Sequence, residues 1–474
     1  MSADAEPRFV DRLARFVLDI FFRRIEVVGV ENVPTAGPLV FVGNHQNSLL
    51  DPALLLGYLP VRPRFLAKST LWQMAGLRPF LDAAAAIPVY RRQDPGVDAS
   101  RNAETFARCH EVLRAGGAIA LFPEGRSHNE PGLVPLRTGV SRIVLEAEER
   151  FADEGGVGVR IVPVGLLFDD KSRFRSRALL WIGPPLDPSP EIALHAEAPR
   201  EAVGRLTERV REALAAVTLN YPSWREARLI ERAADLWSRP RAEAPAERPL
   251  AEVLPIRKDF VAGYRQLLER CPDAVHEVAD TVERYDQALA SLGLHDAQLA
   301  SRYPAGLVVR FVLVSLFKIA LWLPLGAVGT VLHTAPYLLV DAIARRFGTS
   351  PDVESTYKVF PSLVVYPLWW LALASLAGWL GAGGWLKGGW LGGLWAALAT
   401  LLLAPLAGLA AVRLQQRFDH VVRQSRAFLV LRGVLGDRGV DALRRLRAEL
   451  LAKVDRLVEI WRSDEQTVDH PSIG

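Results

Sequence analysis

Three long stretches without a single charged residue constrain this chain more than anything else in it. They run over residues 319–340, 359–386 and 388–412. A helix needs about 20 apolar residues to cross a bilayer, and each stretch is long enough. Seven of the twelve tryptophans fall between Trp322 and Trp395. Such clustering suits the aromatic belt at a membrane–water interface. The chain is half apolar, with a mean hydropathy of +0.13 over 474 residues. There is room for two or more domains, so a membrane region joined to water-facing domains is expected.

Charge narrows the partners. The net charge of +4 and pI near 9.1 fit an anionic lipid surface as well as a nucleic acid. No nucleic-acid-binding module is recognisable, so nucleic acid is set aside and membrane lipid is kept. Cys109 and Cys271 have neither metal-ligand spacing nor the pattern of a disulfide framework, and no metal site is expected. Asp11, Arg12, Arg15 and Asp19 interrupt any signal-peptide core. Phe9, Leu13, Phe16, Val17 and Ile20 instead recur at helical spacing. Residues 1–25 are therefore read as an amphipathic helix, lying in the membrane interface or packed on its own domain.

Residues 26–190 alternate short apolar runs with helical stretches. Strands are expected over 38–42, 86–90, 118–122, 160–167 and 178–182, with helices over 52–59, 99–115 and 140–152. This alternation predicts an α/β domain, a largely parallel sheet flanked by helices. Prolines 184, 185, 188 and 190 close it. Residues 191–303 read as a charged helical region with a proline-rich loop around 239–255. Residues 304–413 read as transmembrane helices. Within them, 307–340 is one span or a re-entrant pair of short helices broken at Pro324 and Gly326. Residues 362–380 and 391–412 form a hairpin joined over 381–390. Two hairpins would place Arg345, Arg346, Arg413 and Arg417 on the catalytic side, which the positive-inside rule makes cytoplasmic. The tail, 414–474, carries an amphipathic helix with Leu443, Leu446, Leu450, Val454 and Leu457 on one face.

Two polar motifs stand where predicted strands end, the place where open α/β sheets bind ligands. The first is Gly43-Asn44-His45-Gln46-Asn47-Ser48-Leu49-Leu50-Asp51-Pro52. His45 is a base suited to neutral pH, and a carboxylate such as Asp51 would fix its tautomer. Alternatively, Asp51 caps a helix beside a surface histidine. The second is Leu121-Phe122-Pro123-Glu124-Gly125-Arg126-Ser127, where proline and glycine force a turn. Glu124 can accept hydrogen bonds from substrate hydroxyls, and Arg126 can bind phosphate. Lys68, Arg91 with Arg92, and the run Asp170-Lys171-Ser172-Arg173-Phe174-Arg175 supply further cations. A charge run of this kind is also what a solvated face looks like.

Asn44-His45 through Asp51, residues 87–91, residues 122–127 and Val162-Pro163-Val164-Gly165 follow the order of four blocks in the glycerolipid acyltransferases. The chain resembles that family, which includes glycerol-3-phosphate and lysophosphatidate acyltransferases. The resemblance covers about residues 28–186. It implies that His45 deprotonates an acceptor hydroxyl with Asp51 in support. It further implies that Arg91, Glu124 and Gly125 bind the acceptor and that Pro163 shapes the acyl site. Two departures stand out. Five residues separate His45 from Asp51 where the family has four. The third block lacks the threonine between Gly125 and Arg126. An extra residue would turn Asp51 by about 100° on a helix. The spacing, the 171–177 stretch and the large C-terminal extension look like the fungal-type glycerol-3-phosphate/dihydroxyacetone-phosphate acyltransferases. That likeness adds weight to Lys171, Arg173 and Arg175 as phosphate ligands.

The expectation is thus a membrane-bound O-acyltransferase of phospholipid synthesis. It would use acyl-CoA or acyl carrier protein as co-substrate and a phosphorylated glycerol as acceptor, with no cofactor. Two alternatives are a lipid hydrolase using Ser127 or Ser48, and an inert scaffolding protein with the same fold. Acceptor identity, chain length and oligomeric state are not written in the sequence.

Overall fold

The computed structural model describes residues 9–74, 76–91, 98–152, 155, 157–238, 248–300, 305–348, 350–383 and 389–468. Arg92, residues 239–247 of the expected loop and residues 384–388 of the expected hairpin joint lie outside them. Two compact units result. One holds residues 1–227, 248–261 and 348–356, and the other holds 228–247, 262–347 and 357–474.

The first unit is built on seven strands: β1 (Arg24–Val28), β2 (Leu39–Gly43), β3 (Pro63–Lys68), β4 (Ile87–Val89), β5 (Ala118–Leu121), β6 (Arg160–Phe168) and β7 (Arg177–Ile182). Their order is β1-β7-β6-β2-β5-β3-β4. Every pairing is parallel except β6 with β7. The largely parallel α/β sheet is therefore as expected. The central strands β2 and β5 are buried along their whole length. That is why they read as continuous apolar runs and not as alternating ones.

Helices cover the sheet: α1 (Phe9–Phe21), α2 (Leu50–Tyr58), α3 (Arg78–Ala83), α4 (Asn102–Arg114), α5 (Gly139–Arg150), α6 (Ser189–His195) and α7 (Pro199–Val217). The core joins Val40 and Val42 of β2 with Ile119 of β5, Ile143 and Val144 of α5, and Leu206, Val210 and Leu214 of α7. The boundary expected at 190 is therefore too early. The apolar face of α7 finishes the core, and a sheet face left without it would expose that core to water. Helix α1 buries Leu18 and Phe21 while Phe9 and Phe16 stay exposed, so it packs on its own domain with an apolar flank left over.

Next come α8 (Trp224–Ser238), α9 (Leu250–Arg270), α10 (Pro272–Leu292) and α11 (Asp296–Ala300). Pro255 lies inside α9, which corrects the expected loop over its last residues.

Among the described residues, three helices are long and apolar enough to cross a membrane: α12 (Ala305–Phe347), α13 (Pro351–Ala382) and α14 (Gly389–Leu429). Helix α12 runs unbroken past Pro324 and Gly326, so the re-entrant alternative falls. Proline is tolerated in such helices because neighbouring groups satisfy the freed backbone. Small residues let α12 and α14 approach closely. A Cβ added at Gly329 would stand 1.9 Å from the Ala407 carbonyl oxygen. His333 hydrogen-bonds the Gly329 carbonyl at 2.8 Å and accepts from Trp370 at 2.9 Å, leaving both ring nitrogens satisfied. The boundary expected at 413 falls within α14. The final helix, α15 (Gly436–Val468), buries Leu443, Leu450 and Val454. It is tied to its own unit through Arg447–Asp296 at 2.8 Å and Lys453–Glu277 at 3.0 Å.

Candidate active site

The site forms at the carboxyl edge of the sheet. Strands β2, β3, β4, β5 and β6 all point the same way, so the loops after them share one edge. That edge receives His45 after β2, Lys68 at the end of β3, Arg91 after β4, the 122–128 turn after β5 and residues 169–176 after β6.

Asn44 anchors the first loop. Its amide donates to the Leu166 carbonyl at 3.0 Å and accepts from the Leu166 N–H at 2.7 Å, which extends the β2–β6 pairing beyond the strand. His45 follows, and its ring stacks on Phe122 with centroids 4.2 Å apart. Its Nδ1 lies 2.9 Å from Asp51 Oδ2. The same oxygen accepts from the Asn47 N–H at 2.7 Å. Asp51 is fully buried, while the His45 side chain is 18% exposed. An oxygen that accepts one N–H is placed to accept a second, so the His45 proton sits on Nδ1. Nε2 is left with its lone pair.

The five-residue spacing does not separate the pair. Helix α2 begins only at Leu50. Before it, the chain turns through Ser48 at φ 39° and closes with Leu50 N–H donating to the Asn47 carbonyl at 2.9 Å. Residues 46–49 are not helical, so the extra residue does not turn Asp51 away from His45.

The second motif locks onto the first. Glu124 is 3% exposed. Its Oε1 accepts from the His45 N–H at 2.7 Å. Its Oε2 accepts from the Val134 N–H at 3.0 Å and also bonds His128 Nε2. The His128 Nδ1 accepts from the Glu130 N–H at 3.1 Å, so Nε2 is the protonated nitrogen. The His128 N–H donates back to the His45 carbonyl at 3.1 Å. Glu124 therefore faces protein donors and not the acceptor, which revises the expectation for it. Gly125 takes φ +74°, which closes the turn without strain. Arg91 Nη1 donates to its carbonyl at 2.8 Å.

The cations divide. Lys171 Nζ points to the His128 carbonyl at 3.4 Å. Burial holds its ammonium below the usual lysine range, against the pull of the Asp51 and Asp352 carboxylates. Arg126 and Arg173 are exposed. Arg175 is corrected. Its guanidinium donates to the carbonyls of Asp19 and Ile20 at 3.3 Å and of Phe22 at 3.4 Å, so it finishes α1 and does not meet a ligand. Pro163 is buried in β6, and its register partner is Val42, one residue before the end of β2.

Sequence reasoning missed His128, Asn47, the Phe122 stack and a remote contribution, in which Ser127 Oγ donates to Asp352 at 2.7 Å. His128 carried a signal, since it stands four residues after Glu124 in the same turn.

Residues 24–167 match the family described as Acyltransferase. Residues 230–463 match the Glycerol-3-phosphate acyltransferase 2 C-terminal domain. Glycerol-3-phosphate O-acyltransferase 2 of Saccharomyces cerevisiae is 28% identical over 298 residues, covering 58% of this chain and 38% of that protein. An uncharacterized acyltransferase of Schizosaccharomyces pombe, C1718.04, is 23% identical over 450 residues, covering 74% and 65%. The chain thus spans less than two thirds of the length of these relatives. The crystal structure of the 1-acyl-sn-glycerophosphate (LPA) acyltransferase PlsC from Thermotoga maritima is 20% identical, with a TM-score of 0.33 over 44% of this chain and 76% of that one.

Proposed function

We propose, from the premise that this chain is a relative of the glycerolipid acyltransferases through both its first domain and its C-terminal helical region, that it transfers a fatty acyl group to a phosphorylated glycerol at a membrane. The acceptor is glycerol 3-phosphate or a lysophosphatidate, and the donor is an acyl thioester of coenzyme A or acyl carrier protein. One observation carries this reading: His45 Nδ1 is held by Asp51, which leaves Nε2 as the ring nitrogen to meet an acceptor, at an edge that also receives Lys68, Arg91, Lys171 and the exposed Arg126 and Arg173.

The acceptor hydroxyl gives its proton to Nε2 as its oxygen attacks the thioester carbonyl. The imidazolium formed is stabilised by the buried Asp51 carboxylate. Collapse of the tetrahedral adduct breaks the C–S bond, and the departing thiolate takes the proton from Nε2. The thioester is already activated, so the step uses no cofactor. The cations hold the acceptor phosphate. Arg345 and Arg346 end α12 just before residues 348–356 of the catalytic unit. The positive-inside rule, applied to these cations, supports a cytoplasmic side for the catalytic unit.

The test is an acceptor panel (glycerol 3-phosphate, dihydroxyacetone phosphate, lysophosphatidate, glycerol) given to purified protein with labelled palmitoyl-CoA. Esterification of a phosphorylated acceptor supports the reading. Release of free fatty acid alone, with covalent labelling of a serine by a fluorophosphonate, would favour hydrolysis. No turnover of any acceptor by folded protein would favour an inert scaffold.

A further inference from the structure

Residues 350–356 belong to the catalytic unit, although they fall within the stretch matched to the C-terminal domain. From Pro351 onward they form the first turns of α13. Three side chains there meet three separate loops of the carboxyl edge. Ser127 Oγ, in the turn after β5, donates to Asp352 Oδ2 at 2.7 Å. Ser355 Oγ donates to the Lys171 carbonyl after β6. The Leu49 N–H, in the loop after β2, donates to Thr356 Oγ1 at 3.3 Å. Asp352, Ser355 and Thr356 are all buried, and buried polar groups are tolerated where they are bonded.

Each contact lies one step from the chemistry. Ser127 stands between the exposed Arg126 and His128, and the His128 N–H holds the His45 carbonyl. The Lys171 carbonyl also accepts from Asn47 Nδ2 at 3.1 Å. The Asn47 N–H in turn donates to the Asp51 oxygen that orients His45. Leu49 immediately precedes α2, which carries Asp51. Donors at a helix start find no partner within the helix, and Thr356 supplies one from outside.

We infer that Asp352, Ser355 and Thr356 are positioning residues of the active site, whose hydrogen bonds fix the loops after β5, β6 and β2 to one rigid stretch of helix. This rests on the acyltransferase reading only for what the site does. The loops touch one another in pairs, and the first turns of α13 are bonded to all three. They thereby set where His45 stands relative to the cations of the neighbouring loops. Position 352 must offer an acceptor to Ser127, and an amide oxygen does that as well as a carboxylate. Position 356 must offer a hydroxyl oxygen to Leu49, which serine retains and valine lacks.

The experiment uses full-length protein in detergent. It compares the unsubstituted chain with Asp352→Ala, Ser127→Ala, the two combined, Asp352→Asn, Thr356→Val and Thr356→Ser. Amide hydrogen exchange followed by mass spectrometry reads the loops without any substrate. Asp352→Ala and Ser127→Ala should speed exchange over residues 122–128, and Thr356→Val over residues 44–50. Each change should be roughly tenfold, the scale of one lost hydrogen bond, with β2 and β5 still protected. In transfer from palmitoyl-CoA to a phosphorylated acceptor, these variants should lower kcat per folded molecule roughly tenfold to a hundredfold. The upper figure is the scale of a ~1 Å displacement, and the KM for palmitoyl-CoA should stay put. Asp352→Asn and Thr356→Ser should follow the unsubstituted chain. The combined Asp352→Ala, Ser127→Ala variant should lose no more than either alone, because both delete the same bond. Unchanged loop exchange in Asp352→Ala and Thr356→Val overturns the inference. So does a lowered Tm with kcat unchanged, the mark of a merely structural role. A loss that Asp352→Asn shares overturns it too, by assigning the effect to charge. If Asp352→Ala does not fold, Ser127→Ala breaks the same bond from the other side. If the unsubstituted chain esterifies no acceptor, the acyltransferase reading fails separately, and the exchange still decides whether these residues hold the loops.

Discussion

Replacing Glu124 with glutamine separates two roles that this glutamate can have. Its carboxylate, 3% exposed, serves the N–H groups of His45 and Val134 and the ring of His128. Glutamine puts an NH2 where one oxygen was. If Oε1 is replaced, the His45 N–H faces a donor. If Oε2 is replaced, the Val134 N–H does. His128 can adapt only by moving its proton to Nδ1, where the Glu130 N–H already points. At least one buried donor is stranded, which costs about 1–3 kcal/mol. For a unit of this size that lowers Tm by roughly 2–12 °C. The donor at risk includes the one that fixes the backbone of His45. A displacement of ~1 Å at the reacting groups costs on the order of 10²-fold in rate. Glu124→Gln should therefore lower Tm and kcat together, with little change in the KM for the phosphorylated acceptor. Melting in detergent beside steady-state kinetics measures both. A raised acceptor KM with unchanged Tm and kcat would instead return Glu124 to the acceptor.

Two further outcomes follow from the same packing. Gly329→Ala drives a methyl into the Ala407 backbone, so α12 and α14 must separate, and the melting temperature of detergent-purified protein should fall by several degrees; an unchanged melt contradicts the observed helix crossing. Burial also pushes the protonation of His110 below its ordinary value. As pH falls through about 6.5 the unfolded chain takes up a proton that the folded chain resists, so stability falls with pH over that window. His110→Leu should flatten this slope in urea titrations at pH 7 and pH 5.5, and an unaltered slope would assign the effect elsewhere.

What the sequence showed and what it hid have physical causes. The buried strands β2, β5 and β6 were legible because parallel central strands are apolar throughout. Strands β1 and β3 were not, because Arg24 and Glu26 interrupt one and Pro63, Arg64 and Lys68 the other. Glu26 sits there buried because it accepts from the Ala251 N–H at 2.9 Å, a partner over two hundred residues away. His45 and Asp51 were legible as residue types. Their pairing was obscured by a helical rotation argument applied to a segment that is not helical. Arg175 looked like a phosphate ligand because a charge run does not reveal which of its members face a neighbouring helix end. Asp352 was invisible, since no local pattern links it to Ser127. The prolines at 255 and 324 misled in the opposite direction, marking breaks in helices that continue through them.

The proposed base is an imidazole oriented by a buried carboxylate, which would remove the acceptor proton. Acyl transfer from palmitoyl-CoA to the preferred phosphorylated acceptor, measured on folded His45→Ala protein beside the unsubstituted chain, tests it most directly. kcat should fall roughly 10²–10⁴-fold, with Tm and acceptor KM nearly unchanged. Turnover by the variant close to that of the unsubstituted chain would contradict it.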